Sequence, residues 1–245
     1  MKILVCISHV PDTTAKINFT PDNKEFISAG VTFIINPYDE IALARALELT
    51  DGGKGTVTVI TVGDVSVEPT IRKALAIGAT DAVRVNAAPR DGYFVAKQIA
   101  SYAKTQNFDM ILCGKESSDY NGGGVSNMIA ELLDIPCILF AKKLDVEGTS
   151  ATLEREIEGG KEVISVPMPF AAGASEGMAE PKIPNMRGIM SARTKPLTVV
   201  EPIVVAQHAK VISFEKPVAR TAVKMINPEN AGKLFEMLRE EKKII

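Results

Sequence analysis

The stretch MILCGKESSDYNGGGVSNMIAELL, residues 110–133, decides the fold of this chain. Its apolar start, residues 110–113, is typical of a buried strand, and the pattern after Val125 is typical of an amphipathic helix. Gly122 to Gly124 separate the two, and glycine lets the backbone approach a ligand closely. Because free N–H groups at a helix start attract anions, the turn predicts a phosphate cradle. Its spacing matches neither a Walker loop nor GxGxxG.

Strand and helix patterns alternate through the first part of the chain. Strand patterns occupy residues 3–8, 56–62, 82–86, 110–113 and 137–140. Helix patterns lie between them, and the first begins at Pro37, where Asn36 is expected to cap it and Asp39 and Glu40 to complement its dipole. Such alternation predicts an α/β fold, a doubly wound and mostly parallel sheet with helices on both faces. Ligands should lie beyond the carboxyl ends of the strands.

The order of elements changes after about residue 141. Short strand patterns separated by glycine-containing turns predict antiparallel hairpins at the sheet edge, and they lie at residues 144–146, 151–157 and 163–166. Residues 171–196 form a long stretch rich in Gly, Pro and Met, of a length that is usually functional. We therefore predict an α/β domain over residues 1–196, which includes this long stretch, and a C-terminal arm and helix over 197–245, where Asn227 caps the helix.

Composition excludes several classes of function. The net charge of −2 shows no excess of basic residues that would attract nucleic acid, so a nucleic-acid partner is not expected. No apolar run approaches the roughly 18 residues that membrane insertion requires. The chain has no CxxC and an odd number of cysteines, Cys6, Cys113 and Cys137, which favours reduced thiols in a cytoplasmic protein over disulfides or a metal site.

No pattern indicates catalysis by side chains. Ser8 and His9 are adjacent, so in a strand they point to opposite faces and cannot form a dyad. There is no GxSxG motif. Catalytic residues and metal ligands are therefore not predicted.

Three separate segments favour nucleotide binding, because a doubly wound fold would bring them together. They are residues 6–12, residues 36–40 and the glycine-rich turn. Alone, Asn36-Pro37 is better explained as an ordinary helix cap, and the glycines are explained equally well by a tight connection. Their combination favours a ligand.

Longer blocks resemble the β subunit of electron-transfer flavoproteins. They are KILVCISHVPD (2–12), INPYDEIALARALEL (35–49), TIRKALAIGATDAVRV (70–85), FDMILCGKESSDYNGG (108–123), LEREIEGGKEVISVPMP (153–169), AEPKIPNMRGIMSARTKP (179–196) and the late Arg220-Thr221-Ala222. The blocks follow one register through essentially the whole chain. The Ser117-Ser118-Asp119 form of the turn is similar to the branch associated with nitrogen fixation and carnitine metabolism.

The resemblance implies a non-catalytic electron carrier that works as a heterodimer with an α subunit. In that family the α subunit holds most of the FAD, and the β subunit binds AMP or, in electron-bifurcating members, a second FAD. Carried over by position, the nucleotide contacts fall on Cys6, Asn36, Pro37, Tyr38, Asp39, Val62, Gly114, Lys115, Glu116, Ser117, Ser118, Asp119, Tyr120, Asn121, Gly122, Gly123, Gly124 and Val125. Tyr38 also aligns with an aromatic residue that approaches the α-subunit flavin.

Residues 174–196 are similar to the loop that docks acyl-CoA dehydrogenases or other flavin or iron–sulfur redox partners. The resemblance implies docking roles for Glu180 and Pro181, with Met186 as the apolar anchor; the alternative is that Met186 fills this protein's own core. Lys182 stands where the family usually has arginine, and lysine holds a carboxylate less firmly. The turn has no threonine hydroxyl, so phosphate capture would depend on backbone N–H groups, Ser118 or Ser126. The terminal arm and helix would pack on the α subunit.

Two functions on a similar sheet remain as alternatives. An enzyme of the adenine nucleotide α-hydrolase type needs a Ser-Gly-Gly-x-Asp-Ser loop after the first strand, whereas residues 8–12 here read SHVPD, without glycine. A regulatory protein of the universal-stress type would leave the long docking stretch and the terminal arm unexplained.

Overall fold

The computed structural model describes residues 1–219 and 222–241 and contains one large sheet with helices on both faces. The strands are β1 (Lys2–Cys6), β2 (His9–Pro11), β3 (Phe33–Ile35), β4 (Thr56–Val62), β5 (Asp81–Val85), β6 (Met110–Gly114), β7 (Cys137–Glu147), β8 (Ser150–Ile157), β9 (Gly160–Pro167), β10 (Phe170–Ala174) and β11 (Leu197–Val200). The helices are α1 (Pro37–Leu49), α2 (Glu68–Ile77), α3 (Gly92–Ala103), α4 (Val125–Leu133), α5 (Met186–Ala192) and α6 (Ala231–Glu240).

The large sheet confirms the predicted α/β fold. Its strand order is β11-β5-β4-β1-β6-β10-β7-β8-β9. All pairs from β11 to β7 are parallel, and β7-β8-β9 form the predicted antiparallel edge. From β1 the chain first builds outward through β4 and β5 and then crosses to β6 on the other side of β1. The strand order therefore reverses between β1 and β6, where ligands of such sheets bind.

Two apolar layers cover the sheet, one on each face. Ile3 and Val5 of β1 contribute to the layer that includes residues of α1 and α2, and Leu4 contributes to the layer that includes residues of α3 and α4. This alternation follows from the two-residue period of a strand. Burial of both faces explains why the central strands are apolar throughout.

One central strand differs from the sequence-based expectation. We expected residues 171–196 to be one long irregular stretch, but Phe170–Ala174 is the fully buried strand β10, between β6 and β7. The Ala-Ala-Gly-Ala run has no β-branched or aromatic side chain, so strand propensity does not reveal it. A Cβ at Gly173 would lie 3.2 Å from Leu139 Cδ2, so a small residue suits this crowded position. Residues 186–192 of the same stretch form α5.

β7 is also longer than expected. Its two ends were predicted as separate strands, but they form one strand with a register shift between Ala141 and Lys143. Phe140, just before the shift, has a φ of 57°. A bulge of this kind re-aims a strand without ending it, which explains why the pattern broke there.

The C-terminal arm begins along the protein's own body. Both amide atoms of Gln98 bond the backbone of Ile203, at 2.8 Å each, and Asp91 accepts hydrogen bonds from His208 and Ala209. Further on, the Phe214 ring stacks on Phe19 at 4.7 Å.

After Lys216, which donates to Asn18, the described residues 217–219 and 222–241 make no hydrogen bond to the sheet or its helices. Leu234 and Phe235 of α6 are exposed. Arg220 and Thr221, which belong to the family resemblance, lie outside the described residues. No helix in the described part of the chain has the length and apolarity needed to cross a membrane.

Candidate functional site

The three segments predicted to bind a nucleotide meet at the reversal point between β1 and β6. The Asn36 N–H donates to the Ser8 carbonyl at 3.0 Å, which places the start of α1 beside the end of β1. β1 and β6 are parallel neighbours, so the glycine-rich turn after β6 leaves the same edge. Cys6 and Val62 are buried near the ends of β1 and β4. The sequence prediction that these segments converge is confirmed.

Asn36 joins the start of α1 to the turn. We expected its side chain to cap α1, but it forms no hydrogen bond to the first turn of that helix. Instead Nδ2 donates to the Glu116 carbonyl at 2.9 Å, and Oδ1 accepts from the Ser118 N–H at 3.1 Å. With only 1% of its surface exposed, Asn36 holds the turn in place through both amide atoms.

Asp39 bridges the two strands at the reversal point. Its Oδ2 accepts from the Ser8 N–H and its Oδ1 from the Gly114 N–H, both at 2.8 Å. The residue is 4% exposed. Burial raises the pKa of Asp39 to about 6, and hydrogen bonds from Ser8, Asn36 and Gly114 oppose this rise.

Gly114 is required by packing against α1. A Cβ at this position would lie 2.4 Å from Asp39 Oδ1 and 2.6 Å from Tyr38 Cβ. Its absence lets β6 approach the helix start closely enough for the Gly114 N–H to reach Asp39. This glycine therefore serves the frame of the site.

The turn itself is closed by its own backbone. The Ser117 N–H donates to the Gly122 carbonyl at 3.2 Å, and the Gly122 N–H donates to Ser117 Oγ at 3.3 Å. Asn121 has a φ of 50°, a left-handed conformation that asparagine tolerates. Asp119 and Tyr120 lie exposed at the tip. The loop after β6 is thus an ordered structure.

The start of α4 provides the hydrogen-bond donors of the site. Gly124 is its N-cap and, having no side chain, leaves the first turn uncapped. Within the described residues, the N–H groups of Val125, Ser126 and Asn127 form no hydrogen bond. The Ser118 hydroxyl is buried and unpaired. Free donors at a helix start suit an anion such as phosphate.

Ser126 is more deeply buried than Ser118. It is 2% exposed, and its hydroxyl is also unpaired and lies close to the Cys137 thiol. Burial raises the pKa of Cys137 to about 11, and the Ser126 hydroxyl opposes the rise. Of the two serines proposed for phosphate capture, Ser118 is the less buried.

Cys6 and Cys113 lie side by side on β1 and β6. A hydrogen bond from Cys6 and burial raise the pKa of Cys113 well above its usual value. A thiol of this kind is protonated and unreactive. Among the described residues, no group of three potential ligands is placed to hold a metal ion.

A polar cluster links the site to the chain after β10. The Tyr38 hydroxyl donates to Glu176 Oε1 at 2.9 Å, and Lys115 Nζ lies 3.1 Å from Glu176 Oε2. Lys115 Nζ also lies 4.4 Å from the centre of the Tyr38 ring. The backbone N–H of Glu176 and the hydroxyls of Tyr38 and Ser175 lower the pKa of the Glu176 carboxyl to about 2. Sequence reasoning missed Glu176, which is 138 residues from Tyr38 and belongs to no motif.

The residues proposed for docking lie on an exposed surface. Glu180 and Pro181 are exposed, and Met186, the first residue of α5, is 74% exposed. The alternative that Met186 fills the protein's own core is therefore wrong. Ile183 is 92% exposed and Met190 68%, and the sequence analysis singled out neither.

α5 holds this surface firmly against α2. Arg72 Nη1 donates to the carbonyls of Ala192 at 2.8 Å and Lys195 at 2.9 Å. A Cβ at Gly188 would lie 2.3 Å from the Ala76 carbonyl oxygen, so glycine allows the two helices to approach. The exposed apolar side chains thus project from a fixed element.

Comparison with known proteins identifies the family. A family model described as "Electron transfer flavoprotein domain" matches residues 25–205. The chain is 36% identical to the electron transfer flavoprotein subunit beta of Bacillus subtilis (strain 168) over 259 residues, with 100% of both chains covered. It is 32% identical to the human subunit beta over 251 residues, with 98% of each chain covered. The chain therefore belongs to the electron transfer flavoprotein family, as a subunit beta and thus an electron carrier.

Proposed function

We propose that this chain pairs with an electron-transfer flavoprotein α subunit and binds AMP, or a second FAD, at the reversal point of its sheet. Electrons pass through the FAD of the α subunit while the docking surface holds the partner dehydrogenase. The observation that carries this proposal is the convergence of α1, the glycine-rich turn and the uncapped start of α4 on one edge of the sheet.

The division of roles within the site supports a nucleotide. Asn36 and Asp39 have their polar side-chain atoms bonded to backbone, so they hold the neighbouring segments in place. The Ser118 hydroxyl and the N–H groups at the start of α4 are left to hold phosphate. Cys6 and Val62 place apolar side chains at the carboxyl ends of β1 and β4, beneath this edge of the sheet. The residues present thus fit an adenine nucleotide.

The flavin supplies the redox chemistry when bound, and this chain supplies part of its surroundings. Tyr38 lies at the same edge as the glycine-rich turn and is held by Glu176. Its ring, beside the Lys115 ammonium, forms a fixed polar and aromatic surface. We infer that the α subunit completes the flavin pocket against this surface.

The docking surface supports transfer to another protein. Met186 and Met190 are four residues apart on α5 and therefore project from the same side of the helix. Methionine adapts to different apolar pockets, which suits a carrier that meets more than one partner. The partners proposed are acyl-CoA dehydrogenase-like flavoproteins or other flavin or iron–sulfur proteins.

The α-hydrolase alternative has little structural support. After β1 the chain enters the short strand β2, and the Ser8 N–H is already bonded to Asp39. That segment offers no glycine loop to a triphosphate.

Analysis of the purified heterodimer tests the proposal. Co-expression with the α subunit should give a yellow complex with an interface of roughly 2,000 Å² or more. Denaturation should release either one FAD and one AMP, or two FAD. The chain expressed alone should lack tightly bound FAD, because it contributes only part of that pocket. A pair that does not co-purify, or that contains no flavin, would contradict the proposal.

A further inference from the structure

Glu176 lies on a tight turn directly after β10. The Met178 N–H donates to the Ser175 carbonyl at 3.2 Å and closes the turn. Gly177 has a φ of +96°, a conformation that favours glycine. Ser175 and Met178 are both buried, so the turn is fixed at its two ends. The Glu176 side chain therefore projects from a defined point of the backbone.

The carboxylate of Glu176 joins three segments of the chain. Tyr38 Oη donates from the start of α1 at 2.9 Å, and Ser175 Oγ donates from the turn itself at 2.9 Å. Lys115 Nζ, at the start of the glycine-rich turn, lies 3.1 Å away and also 3.8 Å from Glu116. Two of these three segments belong to the proposed nucleotide site.

The third segment leads to the docking surface. Residues 179–185 run from the buried Met178 to α5, which Arg72 ties to α2. Both ends of this short segment are therefore fixed, and Ile183 lies in the middle of it. Glu176 lies two residues before the first of these two ends.

We propose that Glu176 is a positioning residue that fixes Tyr38 and Lys115 in the nucleotide site and so links nucleotide binding to residues 179–185 of the docking surface. The inference rests on the proposed nucleotide site. A nucleotide that orders Tyr38 and the turn also orders Glu176, and through it the start of the docking segment. By linkage, a partner that binds this segment changes the affinity for the nucleotide by the same factor.

Because Glu176 is exposed, its charge can be removed to test this link without unfolding the protein. Its side chain is 60% exposed, and exposed ion pairs add little to stability. Glu176→Gln keeps the shape of the side chain, but it replaces the charged acceptor of Tyr38 with a weaker neutral one and removes the charge that attracts Lys115. The variant should fold normally while Tyr38 and Lys115 lose their fixed positions.

Hydrogen exchange and AMP titration of the heterodimer test the proposal. In the wild type, AMP should slow exchange in residues 36–40 and 176–185. In Glu176→Gln these peptides should exchange faster when AMP is absent. The affinity for AMP should fall by about fivefold or more, and AMP should no longer slow exchange in residues 176–185. The control is Glu162→Gln, which removes the same charge from a partly exposed pair with Arg155, 2.6 Å apart at the far edge of the sheet. It should behave as the wild type.

A double-variant cycle distinguishes positioning from a general loss of structure. If Glu176 acts through Tyr38, Glu176→Gln combined with Tyr38→Phe should weaken AMP binding no more than the stronger single variant. Additive effects, or equal AMP protection of residues 176–185 in the wild type and Glu176→Gln, would overturn the link. If the wild type binds no AMP or FAD in this subunit, the proposed nucleotide site fails. In that case unchanged exchange of residues 36–40 in Glu176→Gln would also overturn the positioning role.

Discussion

At the scale of single residues, the carboxyl group of Asp39 combines several structural roles. It is buried, it bridges β1 and β6, and its pKa is raised to about 6. A sequence cannot reveal this role, because Asp39 also fits the general preference for acidic residues in the first turn of a helix. Only the neighbouring strand ends, Ser8 and Gly114, show that its oxygens serve as a bridge.

The raised pKa of Asp39 predicts a pH dependence of stability. An unfolded aspartate has a pKa near 3.8, so between about pH 4 and 6 the folded state binds more protons than the unfolded state. The contribution of Asp39 to the free energy of unfolding should therefore be greatest below about pH 4 and fall by up to about 3 kcal/mol as the pH rises through 6.

Comparison with Asp39→Asn isolates this effect. The variant should lose the pH dependence contributed by residue 39, and it should be less stable at pH 5 by about 1–3 kcal/mol, because one buried N–H loses its acceptor. The measurement is urea unfolding of both proteins from pH 4 to 6.5. Glu176 has a lowered pKa, so its stabilising contribution is lost only as the pH falls below its usual value of 4.5, and the residue is present in both proteins. Parallel pH profiles would contradict the prediction.

Gly114 allows a second prediction at this scale. Gly114→Ala should lower the free energy of unfolding by about 1–3 kcal/mol, because the added Cβ overlaps Asp39 and Tyr38. Gly160→Ala is the matched control, since a Cβ there meets nothing within 4 Å. Thermal or urea unfolding measures both. If the two substitutions lowered the free energy of unfolding equally, α1 and β6 would be able to move apart around the added Cβ without loss of stability, and the prediction would be wrong.

At the scale of elements, the agreement between sequence and structure depended on local signals. α1 and α2 begin where proline and acidic residues stand together, and α4 begins after the glycines. β10 escaped detection because its alanines and glycine carry no strand signal, although its position between β6 and β7 makes it central. Likewise, the contacts of Glu176 join distant parts of the chain, which no local pattern can reveal.

The glycine-rich turn gives a prediction about nucleotide retention. A Cβ at Gly123 would lie 3.1 Å from the Lys115 carbonyl oxygen, and a branched side chain would crowd the backbone further. Gly123→Val should therefore lower the AMP or FAD released from the denatured heterodimer. Gly160→Val is the matched control, because a Cβ there would meet nothing within 4 Å and the residue lies at the start of β9, away from the turn. Unchanged nucleotide content in Gly123→Val would place the ligand elsewhere.

The docking surface gives a prediction about electron transfer. Met186→Ala should slow transfer to or from the partner dehydrogenase and leave the flavin content intact, because Met186 is exposed and distant from the turn in the chain. Ile157→Ala, an exposed apolar residue of β8, is the matched control and should have no effect. Stopped-flow flavin absorbance measures the rate. A parallel loss of flavin would make Met186 structural instead.

At the scale of the whole molecule, the described chain divides into a well-packed body and a loosely attached end. Through Lys216 the arm is bonded to the body, whereas α6 shows exposed Leu234 and Phe235. Exposed apolar residues on an amphipathic helix indicate a surface that another protein covers.

Truncation tests this division. A chain ending at residue 219 should unfold within about 0.5 kcal/mol of the full chain, because the described residues 222–241 make no hydrogen bond to the body. It should nevertheless pair less well with the α subunit, as measured by the yield of yellow heterodimer. A large loss of stability in the isolated chain would show that α6 belongs to the body.

The clamp of Gln98 on Ile203 has a consequence for reassembly. Because the arm is attached through Lys216 and only residues 217–230 separate it from α6, the start of α6 lies at most roughly 50 Å from that attachment. After the two subunits separate, α6 therefore stays within a bounded sphere around its own sheet. The local concentration of α6 near the α subunit therefore stays high once any other contact between the subunits has re-formed. We expect loss of the Gln98–Ile203 hydrogen bonds to slow rebinding of the α subunit more than it lowers the stability of the assembled heterodimer.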